Sequence, residues 1–213
     1  MKRIVAPPYK AHPWHGVDPG PEAPAKLTAF VEIVPTDTVK YEIDKASGYL
    51  KVDRPQKYSN ICPAPYGFVP RTYCGDAVAT LCMQRTGRTG IQGDGDPMDI
   101  CILTEKTLPH SNILLRAVPI GGFRMLDADQ ADDKILAVLE GDAVYGGWQD
   151  IGDCTPALIE RLRHYFLTYK AAPSEIVHAA ANPRVEIAAV YGRDEAHAVI
   201  AASFEDYKRL LAT

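Results

Sequence analysis

The chain has 213 residues, of which 46% are apolar and 23% charged, with a formal net charge of −4. That composition excludes an intrinsically disordered chain, and the length suffices for one domain with a sizeable core and no disulfide staples. A net negative charge argues against a nucleic-acid partner, which needs a basic face, and no apolar run reaches the roughly 18 residues of a membrane span.

No signal-peptide pattern follows the opening MKRIVAPPYK, so no membrane partner and a cytoplasmic location are expected. Residues 1–26 hold Pro7, Pro8, Pro13, Pro19, Pro21 and Pro24 and read as an irregular arm lying over the fold or over a neighbouring subunit. His12 and His15 in HPWHG have a spacing open to a metal site, although packing or capping is the commoner role of such residues. From residue 28 the pattern turns to strands. Thr28 to Val34 is β-branched and apolar, and residues 39–44 and 49–54 form a hairpin closed by Lys45, Ala46, Ser47 and Gly48. Alternation puts Lys40, Glu42 and Asp44 on one face of that hairpin, with Tyr41 and Ile43 on the other.

Residues 57–75 read as loop and short extended pieces, and 76–93, ending in RTGRTGIQG, as a flexible excursion without a nucleotide-binding GK[ST] signature. Further strands are expected at 99–103, 112–123 and 134–143. Thr155 and Pro156 open a helix with an apolar stripe of Leu158, Ile159, Leu162, Tyr165, Phe166 and Tyr169. A second helix starts near Asp194, its stripe formed by Val199, Ile200, Phe204, Tyr207 and Leu211. Strands first and helices after imply an α+β or barrel-plus-helices architecture, since a parallel sheet requires the two to alternate. Five cysteines, Cys62, Cys74, Cys82, Cys101 and Cys154, at irregular spacing and without a CxxC pair, read as reduced thiols.

The most informative segment is GDGDPMDICIL, where Asp94, Asp96 and Asp99 crowd a tight turn that leads into an apolar strand. Carboxylates within about 5 Å of one another repel by roughly 3 kcal/mol per pair at an effective dielectric of 20, enough to drive one toward protonation unless a cation compensates. Oxygen donors without histidine or thiolate suit Mg²⁺, Mn²⁺ or Ca²⁺ better than zinc. A calcium EF-hand fails on Asp99 at the position that needs glycine, on Pro97 inside the loop, and on the strand that follows. A solvated acidic turn is the plain alternative for this segment, and a polar loop is the plain reading of the second acidic group, Asp127, Asp129, Asp132 and Asp133 with Lys134.

Taken together, these segments resemble the family I soluble inorganic pyrophosphatases over most of residues 28–210. DGDPMD is similar throughout to that family's signature run. VEIVP with Glu32, VKYEID and LKVDR with Lys40, Glu42 and Arg54, PYGFVPRT with Tyr66, MLDADQADDK with Asp127, Asp132 and Lys134, and HYFLTYK with Tyr169 and Lys170 follow in the same order. The resemblance implies an α+β, mainly β fold: a small five-stranded OB-like β-barrel flanked by C-terminal helices, here as a single domain over 1–213 with 1–26 as an added arm. It implies hydrolysis of pyrophosphate to two phosphates in a homo-oligomer, with Mg²⁺ or another divalent ion such as Mn²⁺ as cofactor and Ca²⁺ as an inhibitor.

By that resemblance Asp94, Asp99 and Asp132 hold the ions that bind first, and Asp127 and Glu32 those that arrive with substrate. Asp96 is the general base. Lys40, Arg54, Tyr66, Lys134, Tyr169 and Lys170 contact substrate, while Glu42 either supports the site or pairs with Lys40. Tyr169 also continues the apolar stripe of its helix, which leaves it open to a core role. Cys62 stands where many relatives carry a tyrosine, and both the arm and the length of 76–93 depart from the short forms. Two other classes compete with an enzyme: an OB-type binding module, which would need a basic aromatic groove, and a structural calcium-binding protein without turnover.

Overall fold

The computed structural model describes residues 10–170 and 184–212, so the first nine residues of the expected arm lie outside it. Among the described residues there are ten strands: β1 (Leu27–Ile33), β2 (Val39–Ile43), β3 (Leu50–Pro55), β4 (Tyr66–Phe68), β5 (Gln92–Gly93), β6 (Asp99–Leu103), β7 (Ile113–Asp127), β8 (Gln130–Ala131), β9 (Lys134–Leu139) and β10 (Val185–Gly192). The helices are α1 (Asp76–Thr86), α2 (Pro156–Thr168) and α3 (Arg193–Ala212). Among them none is long and apolar enough to cross a membrane.

β1, β4, β6, β9 and β7 pair in that order, and β7 pairs back onto β1, so five strands close into a ring. This is the five-stranded, OB-like closure expected from the sequence. Its pairs are antiparallel apart from β6 with β9. Strand alternation divides the core between two faces. Ile100, Ile102, Ile135 and Ala137 pack with α1 and α3, while Cys101, Leu103, Leu136 and Val138 pack with Leu162, Tyr165 and Phe166 of α2. A fully buried Ile or Leu of this kind contributes about 1.5–3 kcal/mol.

Several expectations are corrected. The stretch 76–93 is not a flexible excursion, because its first eleven residues form α1. Gly75 at its N-cap has no side chain to offer, and the N–H groups of Gly75, Ala77 and Val78, left without partners inside the helix, donate instead to the Asp206 carboxylate of α3. Helices therefore do not all follow strands: α1 lies between β4 and β5, and the unanticipated strand β10 lies between α2 and α3. β7 runs to Asp127 rather than stopping at Phe123, since β10 and β8 both pair with its far end. β9 ends at Leu139, ahead of a turn in which Gly141 has a φ of 79°. The α3 stripe buries Val199, Ile200 and Tyr207 but leaves Leu211 66% exposed at the helix end. All five cysteines are free and buried.

In the described part of the arm, Trp14 is buried in a cluster with Phe30, Ile43, Phe68 and Tyr207. His15 bonds the Tyr207 hydroxyl at 2.7 Å and stacks on Trp14, so His15 takes the packing role that the sequence also allowed.

Candidate active site

The site is built where strand ends and turns converge at one rim of the ring. The Asp94–Asp99 turn is fixed by its backbone. Cys74 N donates to Asp96 O at 2.8 Å, Gly95 N to Cys74 O at 3.0 Å, Met98 N to Thr72 Oγ1 at 2.8 Å and Val69 N to Met98 O at 2.9 Å. Gly95 takes a φ of 76°, which a residue with a Cβ adopts only under strain. With these main-chain groups satisfied against residues 69–74, the Asp94, Asp96 and Asp99 side chains are left facing the cleft.

Two bulges aim further carboxylates at the same place. In β1 the partner of Val31 is Gly67 and that of Ile33 is Tyr66, so Glu32 is the extra, unpaired residue. In the hairpin Lys40 pairs with Arg54 and Tyr41 with Val52, which leaves Asp53 extra on β3. A bulge breaks strict alternation, which accounts for Asp53 and Arg54 both lining the cleft although they are consecutive.

The cleft holds about 190 Å³, below the roughly 300–1,000 Å³ of a drug-sized ligand site. Its lining contains seven carboxylates, Glu32, Glu42, Asp53, Asp94, Asp96, Asp99 and Asp132, and five basic groups, Lys40, Lys45, Arg54, Lys134 and Lys170. Asp99 opens β6 directly beside Lys134 on β9, and the buried Lys134 ammonium binds both Asp99 and Asp132. The two aspartate loops, far apart in sequence, therefore meet. Lys40 reaches Glu42 at 3.4 Å and Asp53 at 3.3 Å, while Arg54 lies 3.4 Å from Asp53. Lys45 is paired with Asp96. Lys170 binds Asp127 at 2.7 Å and approaches Asp132 at 3.9 Å.

Twelve of the thirteen residues singled out in the sequence line this one cleft: Glu32, Lys40, Glu42, Arg54, Tyr66, Asp94, Asp96, Asp99, Asp132, Lys134, Tyr169 and Lys170. Asp127 is not among the lining residues; its carboxylate is held by Lys170 and, at 3.0 Å, by Arg184. Tyr169 packs its ring on Tyr165 with centroids 5.1 Å apart and also borders the cleft, with the Arg54 guanidinium 5.9 Å from its centroid. Glu42 likewise both pairs with Lys40 and lines the cleft. Sequence reasoning missed Lys45 and Asp53. Lys45 reads as an ordinary hairpin-turn residue, and Asp53 falls on the wrong face unless the bulge is known. Cys62 is buried away from the lining, its thiol donating to the Ala64 carbonyl at 3.2 Å.

The acid excess shows in the protonation of the site. Burial pushes the Asp94 carboxyl up to about 8, helped by the charges of Asp132 and Asp99 and opposed by the Asp96 N–H. Burial also pushes Glu32 up to about 8, against the pull of the Ile43 N–H that it accepts at 2.6 Å, with Asp99 adding to the rise. Burial drives the Tyr66 hydroxyl well above its ordinary range, with Asp99 next in effect. Lys134 is held firmly cationic, because Asp132 and Asp99 outweigh the burial that would discharge it.

The donor set fits a hard divalent cation: the acidic donors are oxygens, and the burial that raises Asp94 and Glu32, with the added repulsion of Asp99 and Asp132, is what such an ion offsets. Among the described residues no three acidic, histidine or cysteine side chains are arranged around one point as a ligand set, the Asp99 and Asp132 carboxylates being drawn onto Lys134.

The inorganic pyrophosphatase family model matches residues 29–208. An inorganic pyrophosphatase of Chlamydia trachomatis is 51% identical over 200 residues, 94% of this chain and 95% of the relative. A soluble inorganic pyrophosphatase of Oryza sativa subsp. indica is 40% identical over 161 residues, 75% of this chain and 66% of the relative. The crystal structure of inorganic pyrophosphatase from Thermus thermophilus superposes with a TM-score of 0.74 at 25% identity, covering 93% of this chain and 99% of that one. On this agreement of sequence and fold, the chain belongs to the inorganic pyrophosphatase family.

Proposed function

We propose that this cleft is where the chain carries out its family's reaction, the hydrolysis of inorganic pyrophosphate to two phosphates, with divalent cations lying between the carboxylates and the substrate. The supporting observation is the meeting of two aspartate loops in one small cleft that also carries five basic side chains. Pyrophosphate is strongly anionic, so carboxylates cannot face it directly. The volume suits a small inorganic anion and not an oligonucleotide.

In this reading Asp94, Asp99 and Asp132 would hold the first ions and Glu32 those that come with substrate, joined by Asp127 if its carboxylate leaves Lys170 and Arg184. A divalent ion bound there neutralises phosphate charge and lowers the pKa of a bound water. The remaining work belongs to the chain's own side chains, because phosphoryl transfer is catalysed largely by positioning and electrostatic stabilisation. Asp96 accepts the proton of the attacking water. Its side chain is 43% exposed at the cleft rim, where water reaches it. Lys40, Arg54, Lys134 and Lys170 bind phosphate oxygens, Arg54 with its planar fork, and the hydroxyls of Tyr66 and Tyr169 add hydrogen bonds. Glu42 keeps the Lys40 ammonium in place from the side.

Mg²⁺ is the proposed ion, since it accepts a few carboxylates and keeps room for substrate oxygens; Mn²⁺ or another small divalent ion can replace it. Inhibition by Ca²⁺ is proposed on the family resemblance. We further read residues 1–213 as one domain carrying 1–26 as an arm, and the protein as a cytoplasmic homo-oligomer; this part rests on the family alone.

A phosphate-release assay with pyrophosphate, run in parallel with Mg²⁺, Ca²⁺ and chelator, tests the reading. Release with Mg²⁺, and little with Ca²⁺ or chelator, is expected. Equal release in chelator would remove the cations from the mechanism.

A further inference from the structure

Nothing in the proposed chemistry uses the HPWHG segment or Lys45, yet the two are joined and both lead to Asp96. The Lys45 ammonium sits on the Asp96 carboxylate and also donates to Gly95 O at 3.1 Å. Both side chains are about half exposed, 52% for Lys45 and 43% for Asp96. An ion pair so exposed contributes little by itself. Its geometry must therefore be set by the backbones that carry it.

Those backbones are braced by residues 12–16. The His12 Nδ1 accepts from the Trp14 and His15 N–H groups at 3.2 and 3.3 Å, so the ring proton is on Nε2, which donates to the Lys45 carbonyl at 3.2 Å. The hairpin turn fits tightly under this ring. A Cβ on Gly48, whose φ is 75°, would lie 2.8 Å from His12 Cδ2 and 3.0 Å from Pro13 Cδ. On the other side of the pair, the indole of the buried Trp14 donates to Thr72 O at 2.7 Å, and Arg71 N donates to Trp14 O at 2.9 Å. Thr72 Oγ1 in turn accepts from Met98 N, two residues after Asp96. One short segment thus contacts the Lys45 turn directly and the Asp96 turn through Thr72.

We propose that Lys45 is a positioning residue that aims the Asp96 carboxylate, and that the His12–Gly16 segment is the frame that holds the Lys45 turn in place. The proposal rests on the reading of Asp96 as general base. It differs from a substrate-binding role for Lys45, in which loss of the ammonium would weaken pyrophosphate binding and leave turnover intact.

The test is steady-state kinetics in Mg²⁺ on the full chain with Lys45→Ala, Lys45→Arg, His12→Ala, Asp96→Asn and Lys45→Ala/Asp96→Asn, each checked for its thermal unfolding midpoint. A positioning role predicts that Lys45→Ala lowers kcat about tenfold with KM changed less than about twofold, and that Lys45→Arg recovers most of it. His12→Ala lowers kcat about threefold with the same unchanged KM. In the Asp96→Asn background the lysine substitution adds less than about twofold, since its effect passes through Asp96. A rise in KM at constant kcat, or a full tenfold further loss in the Asp96→Asn background, would overturn the proposal. An inactive Asp96→Asn beside an unaffected Lys45→Ala sinks the positioning role alone, whereas wild-type activity in Asp96→Asn sinks the general base and this inference with it.

Discussion

Asp132 and Asp133 are neighbours in the chain and belong to different parts of the molecule. The extended backbone that leads into β9 sends Asp132 and Lys134 to the cleft and Asp133 to the opposite side, as alternation requires. Asp133 meets Arg124 there, with Nε to Oδ1 at 3.4 Å. Arg124 also binds Glu195 at 2.9 Å and lies over the Tyr191 ring, 5.0 Å from its centroid. Arg124 and Asp133 are both almost fully buried. The back cluster is closed: Arg85, 2.9 Å from Glu195, supplies a second cation, so Arg124 and Arg85 answer Asp133 and Glu195, even though burial pushes the Asp133 carboxyl up to about 7. On the cleft side acids outnumber bases and the lining opens onto a cavity. A surplus of acidic groups lining one cleft is a cost to folding and points to a bound ion or substrate, whereas the matched cluster only holds elements together.

Conservative changes at the two neighbours should separate these roles. Asp132→Asn is expected to lower kcat/KM by roughly 10³-fold, about 4 kcal/mol, while the stability lost from the Lys134 pair is offset in part by relief of the Asp132 repulsion that raises Asp94, for a net cost of about 1 kcal/mol. Asp133→Asn should do the reverse. It strips Arg124 of one of its two carboxylates and is expected to cost about 3 kcal/mol in denaturant unfolding, with activity of the folded fraction within about threefold of wild type. Similar effects on activity from both would dissolve the distinction.

Asp206 sharpens it further as a buried carboxylate answered by backbone. It accepts from Gly75, Ala77 and Val78 at the start of α1, so Asp206→Ala should cost about 2 kcal/mol of stability and leave kcat unchanged. Thr155→Ala at the α2 N-cap should cost about 1 kcal/mol, read in the same unfolding experiment.

Those two helices also mark what a sequence can disclose. α2 is legible because its signals are local: Thr155 caps, Pro156 starts, and the stripe through Leu162, Tyr165 and Phe166 repeats at helical spacing. α1 is hidden because its cap comes from a residue some 130 positions later, and because Gly75 and Gly87 at its ends read as loop. β10 escaped for a related reason: its value comes from pairing with the far half of β7, a partner no local pattern announces.

The site was more legible than the fold around it. Carboxylates crowded into a turn are unusual in themselves, and the likeness of six segments to one family supplied their partners. What stayed hidden were Asp53, aimed by a bulge, and Lys45, whose meaning depends on Asp96 lying across the gap from the hairpin turn.

The cleft's surplus acid can be examined without reference to turnover. Glu32 and Asp94, both pushed up to about 8, hold protons at pH 7 in the cation-free protein. Their folded pKa values exceed the unfolded ones, so they favour the fold below about pH 4 and lose that contribution as pH rises toward about 8. A divalent ion that takes these oxygens must displace the protons. Calorimetric titration of Mg²⁺ at pH 7, in two buffers of different ionisation enthalpy, should therefore show net proton release on binding, with less release in Glu32→Gln. Mg²⁺ binding with no proton release, or a Glu32→Gln protein indistinguishable from wild type, would contradict a cleft whose acids are held in reserve for cations.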